Sequence, residues 1–96
     1  MFVNIVHFPP VRPGQDEAFH AWFAWSNEEY AAYPGFVRRR LLQPRNGGPY
    51  VAIVEHESEE AFMAVHTSPT QAEARRRVGP LLDGDPAPEF YDVVID

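Results

Sequence analysis

Few polar residues interrupt the apolar framework of this chain, and two of them, Asn4 and His66, are placed to meet a bound molecule. Asn4 stands in the run Phe2-Val3-Asn4-Ile5-Val6-His7-Phe8. A buried amide needs a partner, so either neighbouring backbone at a bulge satisfies it or it donates into a pocket. His66 closes the segment Glu59 to His66, in which Phe62, Val65 and His66 turn to one helical face. A neutral imidazole on that face either bonds a backbone carbonyl or exchanges a proton with a ligand. Arg38-Arg39-Arg40 puts guanidinium groups on both faces of a strand. If the region is covered, one of them needs a carboxylate or a ligand, and Arg38 is the candidate to clamp a ligand carboxylate or phenolate. Trp22, Phe23, Tyr33 and Phe62, with Val65, supply apolar side chains for the walls of such a pocket, or simply form core.

Composition removes other chemistries. The chain has no cysteine, so disulfides, thiolate nucleophiles and Cys-type zinc sites are excluded. All eight basic residues are Arg, and the missing Lys excludes Schiff-base chemistry and a P-loop. The four His show no paired ligand spacing, so no metal site is expected. His7 and His56 fall on strand positions and are read as structural, and His20 as a surface residue. A net charge of −6 with no broad basic surface argues against nucleic acid. No apolar run reaches membrane-span length and no signal pattern opens the chain, so a cytoplasmic protein without membrane contact is expected. Two Trp, four Tyr and seven Phe in 96 residues exceed what a lone two-layer domain usually hides, which points to a pocket or a subunit interface.

The elements that must hold these residues follow from period and punctuation. Phe2 to Phe8 is a strand apolar on both faces, stopped by Pro9-Pro10. Gln15 to Tyr33 has helical period, with Phe19, Trp22, Phe23, Ser26, Tyr30 and Tyr33 on one stripe and Trp25 off it, and Pro34-Gly35 ends it. Two β-rich runs, Phe36 to Gln43 and Tyr50 to Glu57, flank Arg45-Asn46-Gly47-Gly48, where glycines supply the positive φ of a hairpin. Ser58 caps a helix whose first turn carries Glu59 and Glu60. Ser68-Pro69-Thr70-Gln71 caps another, ending in Arg75-Arg76-Arg77. Asp83 to Pro88 reads as a loop and Phe90 to Ile95 as a last strand. The order β-α-β-β-α-(α)-β predicts one domain over residues 1–96. Its class is α+β: a ferredoxin-like antiparallel sheet with helices on one face. The other face carries Val, Ile and Leu, which predicts a homodimer whose sheets pack into an α+β barrel.

Three stretches carry a family resemblance: the opening strand with Asn4; Tyr33-Pro34-Gly35-Phe36-Val37; and Val54-Glu55-His56-Glu57-Ser58-Glu59-Glu60-Ala61-Phe62. With these the chain resembles the antibiotic biosynthesis monooxygenase superfamily of small dimeric α+β barrel proteins. The group includes quinol monooxygenases, cofactor-independent oxygenases of aromatic compounds and haem-degrading enzymes. The resemblance implies a cofactor-independent monooxygenase of a small aromatic, quinol-type substrate, with Asn4 and His66 doing the polar work inside walls that exclude water. The haem-degrading branch uses an Asn on the first strand, which Asn4 matches. Val65 stands where that branch carries Trp, and Ala74 or Arg75 where it carries the axial His. Aromatic monooxygenases often carry Trp where this chain has His56. Haem binding or degradation with altered ligands is therefore one alternative, and a non-catalytic small-molecule-binding module is another.

Overall fold

A computed structural model of the chain describes residues 1–96. Four strands, β1 (Phe2–His7), β2 (Phe36–Leu42), β3 (Val51–His56) and β4 (Ala87–Asp92), form one antiparallel sheet in the order β2-β3-β1-β4. Three helices, α1 (Asp16–Tyr30), α2 (Glu59–His66) and α3 (Pro69–Val78), lie against one face, and a 3₁₀ turn at Gly79–Leu81 leads towards β4. This is the ferredoxin-like α+β arrangement expected from the element order. No helix is long and apolar enough to cross a membrane.

The helix ends follow local chemistry. Ser58 Oγ accepts from the Ala61 amide at 3.1 Å and Ser68 Oγ from the Gln71 amide at 3.1 Å, each satisfying one orphan donor of a first turn. Pro69 sits where its missing N–H costs nothing, so α3 starts after only two residues, Thr67 ending α2 and Ser68 capping α3. α1 stops at Tyr30, three residues short of the periodic stripe. Tyr33 precedes a proline, which disfavours helical backbone there, and Gly35 then takes φ +84. A Cβ on Gly35 would lie 2.5 Å from the Ala61 Cβ. The turn after α1 therefore presses directly on α2 and fixes its height above the sheet.

The buried face of α1 carries Phe19, Trp22, Phe23, Ser26 and Tyr30, the stripe expected from spacing. These pack on Phe8, Ala52 and Val54 of the sheet side and on Val65, Ala74 and Val78 of the other helices. Phe8 meets Phe19 edge-on at 5.1 Å, and Phe19 stacks on Trp22 at 5.5 Å; such pairs contribute about 0.5–1.5 kcal/mol each beyond area burial. Trp22 Nε1 donates to the Ala74 carbonyl at 2.9 Å, tying α1 to α3. Trp25, off the stripe, is covered from within the chain, with the Arg77 guanidinium 4.0 Å above its ring.

Two strand assignments differ from the sequence expectation. β4 covers Ala87–Asp92 rather than 90–95. Its length is set by its partner: His7 pairs with Ala87 and Phe2 with Asp92, and β1 then runs out. Val94 and Ile95, which read as strand, are 89% and 90% exposed. In β2 the alternation is broken. Phe36 pairs with His56 but Arg38 pairs with Glu55, so Val37 is an extra, bulged residue. Every side chain after it changes face relative to strict alternation from Phe36.

Candidate functional site

Between the sheet and the helices lies a cavity of about 410 Å³, within the usual range of small-molecule sites, about 300–1,000 Å³. Its floor is the inner face of the sheet. Cross-strand pairing sets out that floor in rows, because directly opposed residues share a face. One row reads Arg39, Val54, Asn4, Phe90 from β2 to β4. The adjacent row on the β3 side places His56 between Phe36 and Phe2. Trp22 and Tyr30 from α1, Phe62, Val65 and His66 from α2, and Ala74 and Arg75 from α3 complete the walls.

Most of this lining is apolar, so its polar atoms stand out. Asn4 is 8% exposed and its Oδ1 has no partner within the chain. His56 is 2% exposed and neither ring nitrogen has a partner. Its ring is held edge-on by Phe36 at 5.4 Å and by Phe62 at 5.7 Å. Burial pushes the His56 pKa below its ordinary value, because the imidazolium loses its hydration. At neutral pH it is an uncharged imidazole, able to accept one hydrogen bond or proton and donate another. Leaving such groups buried and unbonded costs about 1–3 kcal/mol each, a cost that binding a hydroxylated ligand relieves.

Arg39 supplies the third polar feature. Its Nη1 donates to Ser26 Oγ at 2.6 Å and to Asn27 Oδ1 at 3.0 Å. The Asn27 amide in turn donates to the Arg39 carbonyl at 3.1 Å. The guanidinium carbon lies 3.9 Å from the Phe23 ring centre and 5.1 Å from that of Tyr30. Desolvation lowers the Arg39 pKa to about 10, which still leaves a full cation at neutral pH. Burial raises the Tyr30 pKa, while the nearby Arg39 and Arg75 charges pull it back. The Tyr30 hydroxyl donates to Gln71 Oε1.

Of the residues singled out from sequence, Asn4, Trp22, Phe62, Val65 and His66 line the cavity. His66 is exposed at its mouth, its ring stacked on Phe62 at 5.3 Å. Three others lie elsewhere. Arg38 points to the outer face and pairs with Glu55 at 2.5 Å, because the bulge at Val37 hands the inner position to Arg39. Phe23 is core beneath the Arg39 guanidinium rather than cavity wall. Tyr33, beyond the end of α1, donates its hydroxyl to Thr70 Oγ1 at 2.9 Å and ties the turn to α3. The sequence alone makes His56 structural, yet at 2% exposure it is the most enclosed titratable group of the cavity. The signal was its place on the Ala52, Val54, His56 face of β3, whose small apolar members face the helices. Arg39 had no such signal, since nothing in Phe36-Val37-Arg38 marks a bulge. Elsewhere, no three His, Asp or Glu side chains converge as a metal set.

The family described as antibiotic biosynthesis monooxygenase matches residues 1–77. Among solved structures, Rv0793 from Mycobacterium tuberculosis is similar at 23% identity with a TM-score of 0.85, covering 99% of this chain and 96% of that one. A candidate antibiotic biosynthesis monooxygenase from Nitrosomonas europaea is similar at 20% identity with a TM-score of 0.85, covering 99% and 100%. SnoaB from Streptomyces nogalater, a cofactor-independent oxygenase, is similar at 25% identity with a TM-score of 0.78, covering 99% and 92%. No curated protein matches the sequence.

Proposed function

The chain belongs to the antibiotic biosynthesis monooxygenase family, and from that membership we propose that it oxygenates a small phenolic or quinol-type aromatic without a bound cofactor. One observation carries the reading: Asn4 Oδ1 and both His56 nitrogens lie buried and unpartnered beside an apolar, aromatic-walled cavity. Such chemistry needs a base for the substrate hydroxyl, a donor for the oxyanion, and walls that keep water out.

In the proposed reaction, neutral His56 takes the phenolic proton while the Asn4 amide donates to the developing oxyanion. The phenolate passes one electron to dioxygen, and the resulting aryloxyl radical and superoxide join through a carbon–oxygen bond. The His56 imidazolium returns its proton to the peroxide. Loss of the ring C–H proton with cleavage of the O–O bond then releases water and leaves a quinone. The net change is phenol plus O₂ to quinone plus water: the substrate gives four electrons and dioxygen takes four. General-base catalysis contributes about 10²–10⁴-fold to such a step. His66, at the mouth, is assigned the exchange of protons between the cavity and solvent.

The haem alternative has less support from the residues present. Val65, Ala74 and Arg75 offer no iron ligand where the haem-degrading branch carries Trp and the axial His. His66, stacked on Phe62 at the mouth, stands on α2 and not at the position of that axial His.

The reading extends to assembly. The outer face of the sheet carries Val3 and Ile5 of β1, Val51 and Ile53 of β3, and Leu42 of β2. With helices on the other face only, this apolar surface suits a second copy of the chain, sheet against sheet.

Oxygen consumption in metal-free buffer with a panel of quinols and anthrones tests the activity. Turnover by the wild type, lost by at least about 10²-fold in His56→Phe and reduced in Asn4→Ala, is the expected result. A folded wild-type protein that consumes no oxygen with any of them overturns the proposal, and tight binding without turnover marks a sequestering module instead.

A further inference from the structure

Arg39 is a cation built into the cavity without an anion. The other arginines that form ion pairs do so on the surface: Arg38 with Glu55, and Arg76 and Arg77 with Glu73. The chain carries 14 acidic residues against eight basic ones, yet none pairs with Arg39. Instead Ser26 and Asn27 of α1 hold Nη1, and Ser26 is itself fully buried and donates to the Phe23 carbonyl at 2.9 Å. The rings of Trp22, Phe23 and Tyr30 surround the guanidinium at 5.2, 3.9 and 5.1 Å. Position and orientation are thus fixed from one side, while Nε and Nη2 make no bond within the chain. A guanidinium presents its nitrogens as a planar fork that matches a carboxylate. Arg75 adds a second positive charge to the lining, and the one acid there, Asp85, precedes β4 at the opposite edge of the sheet from β2.

We propose that the substrate is an aromatic acid, its ring carboxylate bound by Arg39 while its hydroxyl meets Asn4 and His56. The sheet register supports the spacing. Arg39 and Asn4 are opposed to Val54 from either side, which separates their backbones by two strand spacings, about 10 Å. His56 follows two residues after Val54 on the same face. A ring system lying over Val54 therefore reaches Arg39 at one end and the Asn4–His56 pair at the other. The aromatic collar removes water from the guanidinium, so an anion gains a charge-assisted contact there that a neutral group cannot replace. This inference rests on the oxygenation reading only for the role of the hydroxyl; the anion site stands on the geometry of Arg39.

Binding, rather than turnover, is the measurement that separates the two. Quenching of tryptophan fluorescence and calorimetry are used with 6-hydroxy-2-naphthoate, whose hydroxyl and carboxylate lie at opposite ends of the ring system, and with its neutral amide, 6-hydroxy-2-naphthamide. The wild type is expected to bind the acid about 10- to 100-fold more tightly than the amide, the range of a hydrogen bond to a charged group. Arg39→Gln is expected to bring the two affinities together, and Arg39→Lys to restore part of the preference. Equal affinities in the wild type overturn the proposal without any variant, as does failure of both compounds to bind. A preference for the acid that survives in a folded Arg39→Gln assigns the anion to another group and also overturns it. Selective acid binding with no oxygen consumption supports the anion site and counts against the oxygenation.

Discussion

Replacing His56 by Phe is expected to stabilise the protein while abolishing its oxygenase activity. The substitution removes two buried nitrogens that have no partner within the chain. Each such group costs about 1–3 kcal/mol when fully desolvated. The larger Phe ring offsets part of this by crowding its neighbours, so a net gain of about 1–2 kcal/mol is expected. Phe preserves the edge-on contacts with Phe36 and Phe62, and its extra volume extends into the cavity. For a domain of this length the gain corresponds to a rise in Tm of about 4–16 °C. A pH signature accompanies it. The folded-state pKa of His56 lies below its ordinary value, so as pH falls the unfolded chain takes up that proton first. Stability is therefore complete above the unfolded pKa, near 6.5, and declines as pH falls from there towards the folded value. The slope reaches at most about 1.4 kcal/mol per pH unit. His56→Phe lacks this contribution, so the difference in Tm between variant and wild type should widen from pH 7 to pH 5. Thermal melts across that range, with urea denaturation at both ends, measure it. A variant less stable than wild type by more than about 1 kcal/mol, or a difference independent of pH, means that the His56 nitrogens are bonded in solution and overturns the expectation.

Gly35→Ala should lose about 2–4 kcal/mol in urea denaturation. The expectation combines a left-handed backbone penalty with the overlap onto Ala61. Adding Ala61→Gly should return the overlap part alone, and a loss below about 1 kcal/mol would show that α2 moves aside freely. Arg38→Ala should leave ligand affinity and turnover unchanged and shift stability by less than about 1 kcal/mol, since its pair with Glu55 is on the outer face; a drop in affinity contradicts the placement. Haemin titration should give no Soret shift, and chelators should leave oxygen consumption unchanged; a shift abolished by His66→Ala would restore the haem reading. Ile53→Glu, on the outer sheet face, should convert a dimer to monomers in sedimentation velocity, and an unchanged sedimentation coefficient removes that face as the interface.

Much of the fold was legible because it rests on local chemistry. The stripe from Phe19 to Tyr30, the Ser58 and Ser68 caps and the glycines of the β2–β3 turn are each set by residues close in sequence. Asn4 on an apolar strand and the Phe62, Val65, His66 face of α2 likewise announced themselves, and all of them line the cavity. What remained hidden depended on pairing between distant segments. The extent of β4 is decided by how much of β1 lies opposite it, not by where its own apolar residues fall. The exchange of Arg38 for Arg39 follows from one bulged residue, Val37, which a side-chain period of two cannot reveal. His56 could be placed on a face from alternation, but its enclosure by Phe36, Phe62 and the helices is a tertiary fact. The types of residue available to the site were therefore fixed by the chain's composition and local periods. Which arginine and which histidine face the cavity was decided by register and packing, because a one-residue shift in a strand turns every following side chain to the opposite side.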